Sequence, residues 1–144
     1  MSKLTAAEIA IRSAEKMWAN DTASKSLGMQ FKSVEPGRAV LTLEVEERHT
    51  NGHNICHGGY IFTLADTGFA FACNSYNQVA VAQQNSITFV APGQLGDTLT
   101  ATAIEVTRAA RSGVYDATVV NQHGDTIALF RGHSRTLNKT LFEE

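Results

Sequence analysis

Two cysteines, two prolines and one tryptophan are spread over 144 residues, and no lysine or arginine occurs between Arg48 and Arg108. Each scarcity excludes something. Two lone thiols, Cys56 and Cys73, make no disulfide framework and fit a reducing, cytoplasmic setting. No stretch reaches the roughly 18 unbroken apolar residues that a membrane span needs. A formal net charge of -2 gives nucleic acid or an anionic membrane little to bind. The opening segment MSKLTAAEIAIRSAEKMW is amphipathic and carries charges throughout, unlike a secretion signal. What is present is an ordinary globular composition, 43% hydrophobic and 18% charged, in a chain of one-domain length. No repeat, low-complexity tract or linker divides it, so residues 1–144 read as a single domain.

The periodicities predict a helix over 5–19, opened by a Thr5/Glu8 capping box, with Ile9, Met17 and Trp18 on or near one apolar side. Strand patterns follow over 29–34 and 38–46, joined at Glu35-Pro36-Gly37, where Pro and Gly supply the turn torsions. Leu41, Leu43 and Val45 alternate with Val40, Thr42, Glu44 and Glu46, as on a strand with one wet face. After a polar loop at 47–57, the run from about Gly59 to Asn74 is too long for a strand. It is also apolar on nearly all sides, which predicts a buried helix. Four further strand patterns cover 79–90, 97–108, 112–121 and 126–137. One greasy helix among six strands implies an α+β arrangement, a curved antiparallel sheet wrapped around a long central helix with an N-terminal helix beside it. That shape is the hotdog fold.

Within the central run the only charged residue is Asp66. Burial without a cationic neighbour disfavours its ionised form and raises its pKa, which suits a general base or a nucleophile. The structural alternative is a partner such as Arg131. A helix beginning at Gly58 or Gly59 would leave its first N–H groups unpaired at the positive end of the dipole, with no Cβ in the way. His57-Gly58-Gly59 is thus either an oxyanion-binding corner or only a tight entry turn. Gly58 and Asp66 lie about 12 Å apart along a helix, too far to touch one carbonyl. Two antiparallel helices around a two-fold axis would bring Asp66 of one copy opposite Gly58 of another. A homo-oligomer with sites across the dimer interface follows. His57 reads as a positioning residue. Asn51 is either a turn residue or an amide that orients water or a substrate carbonyl. His49, His53, Cys56 and His57 have irregular spacing and no second cluster, so no metal is expected. A Cys56–His57 nucleophile pair is disfavoured because sequence neighbours rarely face each other.

The segment NGHNICHGGYIFTLADTGFAFACNS, with SITFVAPGQLGDTLTATA and SGVYDATVVNQHGDTIALFRGHS downstream, resembles the phenylacetate-degradation (PaaI-type) hotdog acyl-CoA thioesterases over roughly residues 15–136. The resemblance implies hydrolysis of phenylacetyl-CoA or hydroxylated phenylacetyl-CoA compounds to free acid and CoA. It implies no cofactor beyond the CoA of the substrate, and tetramers built as pairs of dimers. It assigns the catalytic carboxylate to Asp66, the carbonyl-polarising amide to Gly58, the supporting histidine to His57 and the water-placing polar group to Asn51. Gly59, Arg108 and Arg111 would meet the CoA moiety, the arginines from a turn where relatives have a glycine and this chain has Ala109-Ala110. Some relatives carry a water-assisting serine on the strand after the helix. Here that position is Ala82, leaving Gln83, Gln84 or Asn85 to take the role. Tyr60, Phe62, Phe69, Phe71 and Tyr76 are candidate walls for an aryl group, though most are expected in the core.

The rival readings are a hotdog hydratase or dehydratase and a non-catalytic acyl-CoA-binding protein. The first usually has proline in its histidine loop, which this chain lacks. The second has no need of an isolated acid in the helix.

Overall fold

A computed structural model describes residues 2–144, so only Met1 of the expected domain lies outside it. Helix α1 (Ala6–Asn20) starts at Thr5, whose hydroxyl accepts from Glu8 N while the Glu8 carboxylate accepts from Thr5 N. Its buried side is Ala10, Ser13 and Ala14, with Met17 and Trp18 packed on the core one turn further. Trp18, Phe31 and Phe71 form an aromatic cluster with centroids 5.2–6.2 Å apart, tying α1 to the first strand and the central helix. Helix α2 (Thr22–Ser26) is absent from the sequence reading. Five residues are too short for an apolar period to show, and Asp21 starts the helix by accepting from Ser24 N.

The strands are β1 (Gln30–Glu35), β2 (Arg38–Glu44), β3 (Ala80–Phe89), β4 (Thr98–Ala109), β5 (Ser112–Val120) and β6 (Thr126–Thr136), with α3 (Gly58–Cys73) between β2 and β3. They form one antiparallel sheet in the order β1-β2-β4-β5-β6-β3. The hotdog arrangement expected from the sequence is present. The sheet curves around α3, and Leu41, Leu43, Leu99, Ala101, Ala103, Ala117, Val119 and Phe130 close on Ile61, Leu64, Phe69 and Phe71 of the helix. Each large side chain buried there contributes about 1.5–3 kcal/mol. Small residues set how deep α3 sits: a Cβ at Gly68 would lie 3.6 and 3.8 Å from those of Ala103 and Ala101. Among the described residues, no helix is long and apolar enough to cross a membrane.

The β4–β5 hairpin closes through Ala110-Arg111, and Ala110 takes φ 52°. A left-handed alanine costs about 1–2 kcal/mol that glycine avoids, less the greater freedom glycine has when unfolded. Ala110→Gly is therefore expected to leave the thermal midpoint unchanged or raise it, by up to about 1 kcal/mol of stability. A clear fall in a melting scan would contradict the strain.

Candidate active site

The start of α3 is built by His57. Its backbone is extended (φ -59°, ψ 132°) and its ring Nδ1 accepts from Gly59 N at 2.9 Å. With Nδ1 accepting, a neutral ring carries its proton on Nε2. The His57 carbonyl accepts from Tyr60 N (3.0 Å) and Ile61 N (3.4 Å). That leaves Gly58: among the described residues, nothing accepts its N–H. The two glycines therefore have different tasks. Gly59 has its amide committed to His57, and a Cβ there would stand 3.1 Å from His57 Nδ1. Gly58 presents a free donor at the positive end of the helix dipole.

A cavity of ≈ 490 Å³ opens at this corner, lined by Asn51, Ile55, Cys56, Gly58, Ile61 and Phe89 among others. The Phe89 ring lies over Gly58, where a Cβ would meet its Cζ at 3.0 Å. Asn51 accepts from His53 N at 2.9 Å and Ile55 N at 3.5 Å through Oδ1, which shapes the loop. Its Nδ2 donates to nothing among the described residues. Asn51 is thus a turn residue that also lines the cavity.

Asp66 lies two turns further along α3, on the stripe of Gly59, Phe62, Thr63 and Ala70 that the sheet leaves half-covered or open. Burial raises its pKa above the ordinary aspartate value, and a hydrogen bond from Asn85 Nδ2 to Oδ1 at 2.8 Å opposes the rise. The partner is an amide rather than a cation. Arg131, the alternative weighed from sequence, instead grips Asp116 with two bonds of 2.6 and 2.9 Å.

The loop histidines separate by role. His49 is fully buried, accepts from Glu46 N at Nδ1 (2.9 Å) and donates from Nε2 to the Leu27 carbonyl (2.9 Å). Both ring nitrogens serve the backbone, so it has no lone pair for a metal. Cys56 is buried and its thiol is pushed up to about 11 by that burial. It faces the His57 carbonyl at 3.7 Å and not the ring, which removes the nucleophile pair.

A family model of the thioesterase superfamily matches residues 53–128. The acyl-coenzyme A thioesterase PaaI of Escherichia coli K12 is 47% identical over 133 residues, 92% of this chain and 95% of that protein. The chain belongs to the thioesterase superfamily. The solved E. coli PaaI protein from the phenylacetic acid degradation operon superposes with a TM-score of 0.92 at 46% identity, over 94% of this chain and 99% of that one. A Streptococcus mutans protein solved bound to acetyl CoA superposes with a TM-score of 0.75 at 33% identity, over 78% and 91% of the two chains.

Arg108 lies on β4, and Arg111 lies in the β4–β5 turn, where its carbonyl accepts from Thr136 N. The Arg108 guanidinium stacks 3.5 Å above the Tyr76 ring and its Nε is 3.6 Å from Glu105 Oε1. Tyr76 and Tyr115 also donate to that oxygen, at 2.9 and 3.0 Å. Phe69 and Phe71 are sealed in the core, whereas Tyr60 and Phe62 remain half-buried. The sequence pattern alone does not reveal Phe89 as a pocket wall or Asn85 as the carboxylate's partner. A β-bulge between Ala82 and Gln84 explains this. One extra residue reverses which side chains face α3, so Asn85, Ile87 and Phe89 point inward after an even-numbered start at Ala80.

Proposed function

We propose that residues 1–144 act as one thioesterase domain that hydrolyses acyl-CoA thioesters to free acid and CoA, with phenylacetyl-CoA or hydroxylated phenylacetyl-CoA compounds as substrates in aromatic catabolism. The observation that carries the reading is the division of labour on α3: a free Gly58 N–H at its start and a half-buried Asp66 in its middle, about 12 Å on. These converge only between two copies. Support for pairing comes from β3, an edge strand without proline whose Val81 is 46% exposed. The open stripe around Asp66 on the neighbouring helix adds a second surface. A second copy added there gives the dimer, and two dimers the tetramer.

In this reading the thioester carbonyl oxygen accepts from Gly58 N–H of the partner subunit, and Asn51 Nδ2 stands by the same oxygen or the water. Asp66 takes a proton from water as the new C–O bond forms, and negative charge builds on the carbonyl oxygen beside the amide. Collapse breaks the C–S bond, and the proton held by Asp66 passes to the departing CoA sulfur. Arg108 and Arg111 meet the CoA phosphates, for which a guanidinium's planar fork is suited. No metal or organic cofactor enters these steps. The protein works in the cytoplasm.

The test is thiol release from phenylacetyl-, hydroxyphenylacetyl-, benzoyl- and straight-chain acyl-CoA. Free CoA and acid in equal amounts, fastest with the arylacetyl substrates, is the expected result. Equal rates on all four would contradict the aryl assignment. A hydratase or a binding protein would leave the thiol unreleased.

A further inference from the structure

Asn85 carries an anomaly. Its Oδ1 is buried and has no hydrogen-bond partner among the described residues, while its Nδ2 donates to Asp66 Oδ1 at 2.8 Å. Leaving an acceptor buried and unpaired costs its full desolvation penalty, and folded proteins rarely keep such a group without a reason. Turning the amide over would not help, since its oxygen would then face an ionised carboxylate. The side chain is aimed there by the bulge at Gln83 on an otherwise exposed edge strand. An apolar or β-branched residue at that position would suit the inward face of a strand better.

We propose that Asn85 is the positioning residue for Asp66, an amide kept at a cost in stability to hold one carboxylate oxygen and leave Oδ2 as the oxygen that takes the water's proton. This rests on the thioesterase reading and gives Asn85 a different task from that of a serine assisting the water directly. Bond and base are separated on one carboxylate: Oδ1 is held by the strand, and Oδ2 has no hydrogen-bond partner among the described residues. The donated N–H favours the ionised form, offsetting part of what burial does to Asp66. Cys73 is the titratable neighbour on α3 that senses the Asp66 charge, and its thiol, pushed up to about 12 mainly by burial, stays protonated throughout the working range.

The experiment compares wild type with Asn85→Val and Asn85→Ala in the intact oligomer, reading kcat, KM, the acid limb of the pH profile and the thermal midpoint. Loss of orientation is expected to lower kcat roughly ten- to a hundredfold, with KM changed less than about threefold. The acid limb should move to higher pH, because the bond that favoured the carboxylate is gone. The midpoint should hold or rise, because the orphaned oxygen is gone too. Rising or level stability with falling kcat is a combination that a merely structural residue does not give. Wild-type kcat with an unmoved acid limb in Asn85→Val would overturn the proposal. So would a kcat loss accompanied by a lower midpoint and an unmoved limb in both variants. Absence of thiol release by wild type would overturn the thioesterase reading itself, and the role of Asn85 with it.

Discussion

Thiol release is expected to fall roughly a thousandfold in Asp66→Asn, within the range that a positioned general base contributes. The amide keeps the shape of the carboxylate and still accepts from Asn85, so binding and assembly should change little. Stability should move the other way from activity. Burial raises the folded-state pKa of Asp66 above its ordinary value. Between the unfolded and folded pKa values the native state therefore holds more protons. The stabilising contribution is complete below the unfolded value and is lost as pH rises through the folded one. At neutral pH the ionised group opposes folding, and a neutral amide removes that opposition. A thermal midpoint equal to or above wild type at neutral pH, converging or reversing in acid, is the expected pattern. For the same reason the acid limb of wild-type kcat/KM should lie above the usual aspartate range. Retained turnover in Asp66→Asn would remove the carboxylate from the mechanism.

The second large effect belongs to a main-chain atom. Gly58 is the first residue of α3, a position where proline is well tolerated because the N–H there has no intrahelical partner. The preceding His57 already has the extended backbone that proline requires of its neighbour. Gly58→Pro therefore deletes one donor with little cost to the helix. The exception is the Phe89 ring, which must give by a few tenths of an ångström. Loss of an oxyanion donor costs about 10²- to 10³-fold in kcat, and that is the expected fall, measured as thiol release at saturating substrate. Gly58→Ala keeps the N–H while adding a Cβ against the same ring. It should retain far more turnover than Gly58→Pro. Equal losses in the two variants would assign the effect to crowding by Phe89 and not to the donor.

Much of this site was legible in the sequence because it depends on local rules. An apolar run broken by one acid gives α3 and Asp66 at once, and Glu35-Pro36-Gly37 marks its turn through Gly37, which takes φ 73°. Leu99, Ala101 and Ala103 alternate with threonines on β4, and all three are buried. What stayed hidden depends on pairing. The Gln83 bulge exists only once β3 has docked on β6, so counting by twos along β3 could not show that Asn85 faces Asp66. The same shift hid Phe89. Spacing leaves open which of two adjacent glycines keeps a free amide, because that turns on the rotamer of His57; the family resemblance points to Gly58. Arg131 looked available to Asp66 until the ladder placed Asp116 opposite it.

The shared site can be tested by mixing Asp66→Asn and Gly58→Pro chains, each nearly inactive alone. If each site takes its carboxylate from one subunit and its amide donor from the other, a mixed dimer has one site with both lesions and one with neither. Co-expression should then restore roughly a quarter of wild-type turnover, since about half the dimers are mixed and each of those has one intact site. Activity no higher than the average of the two variants, in chains shown to have exchanged, would contradict a site divided between subunits.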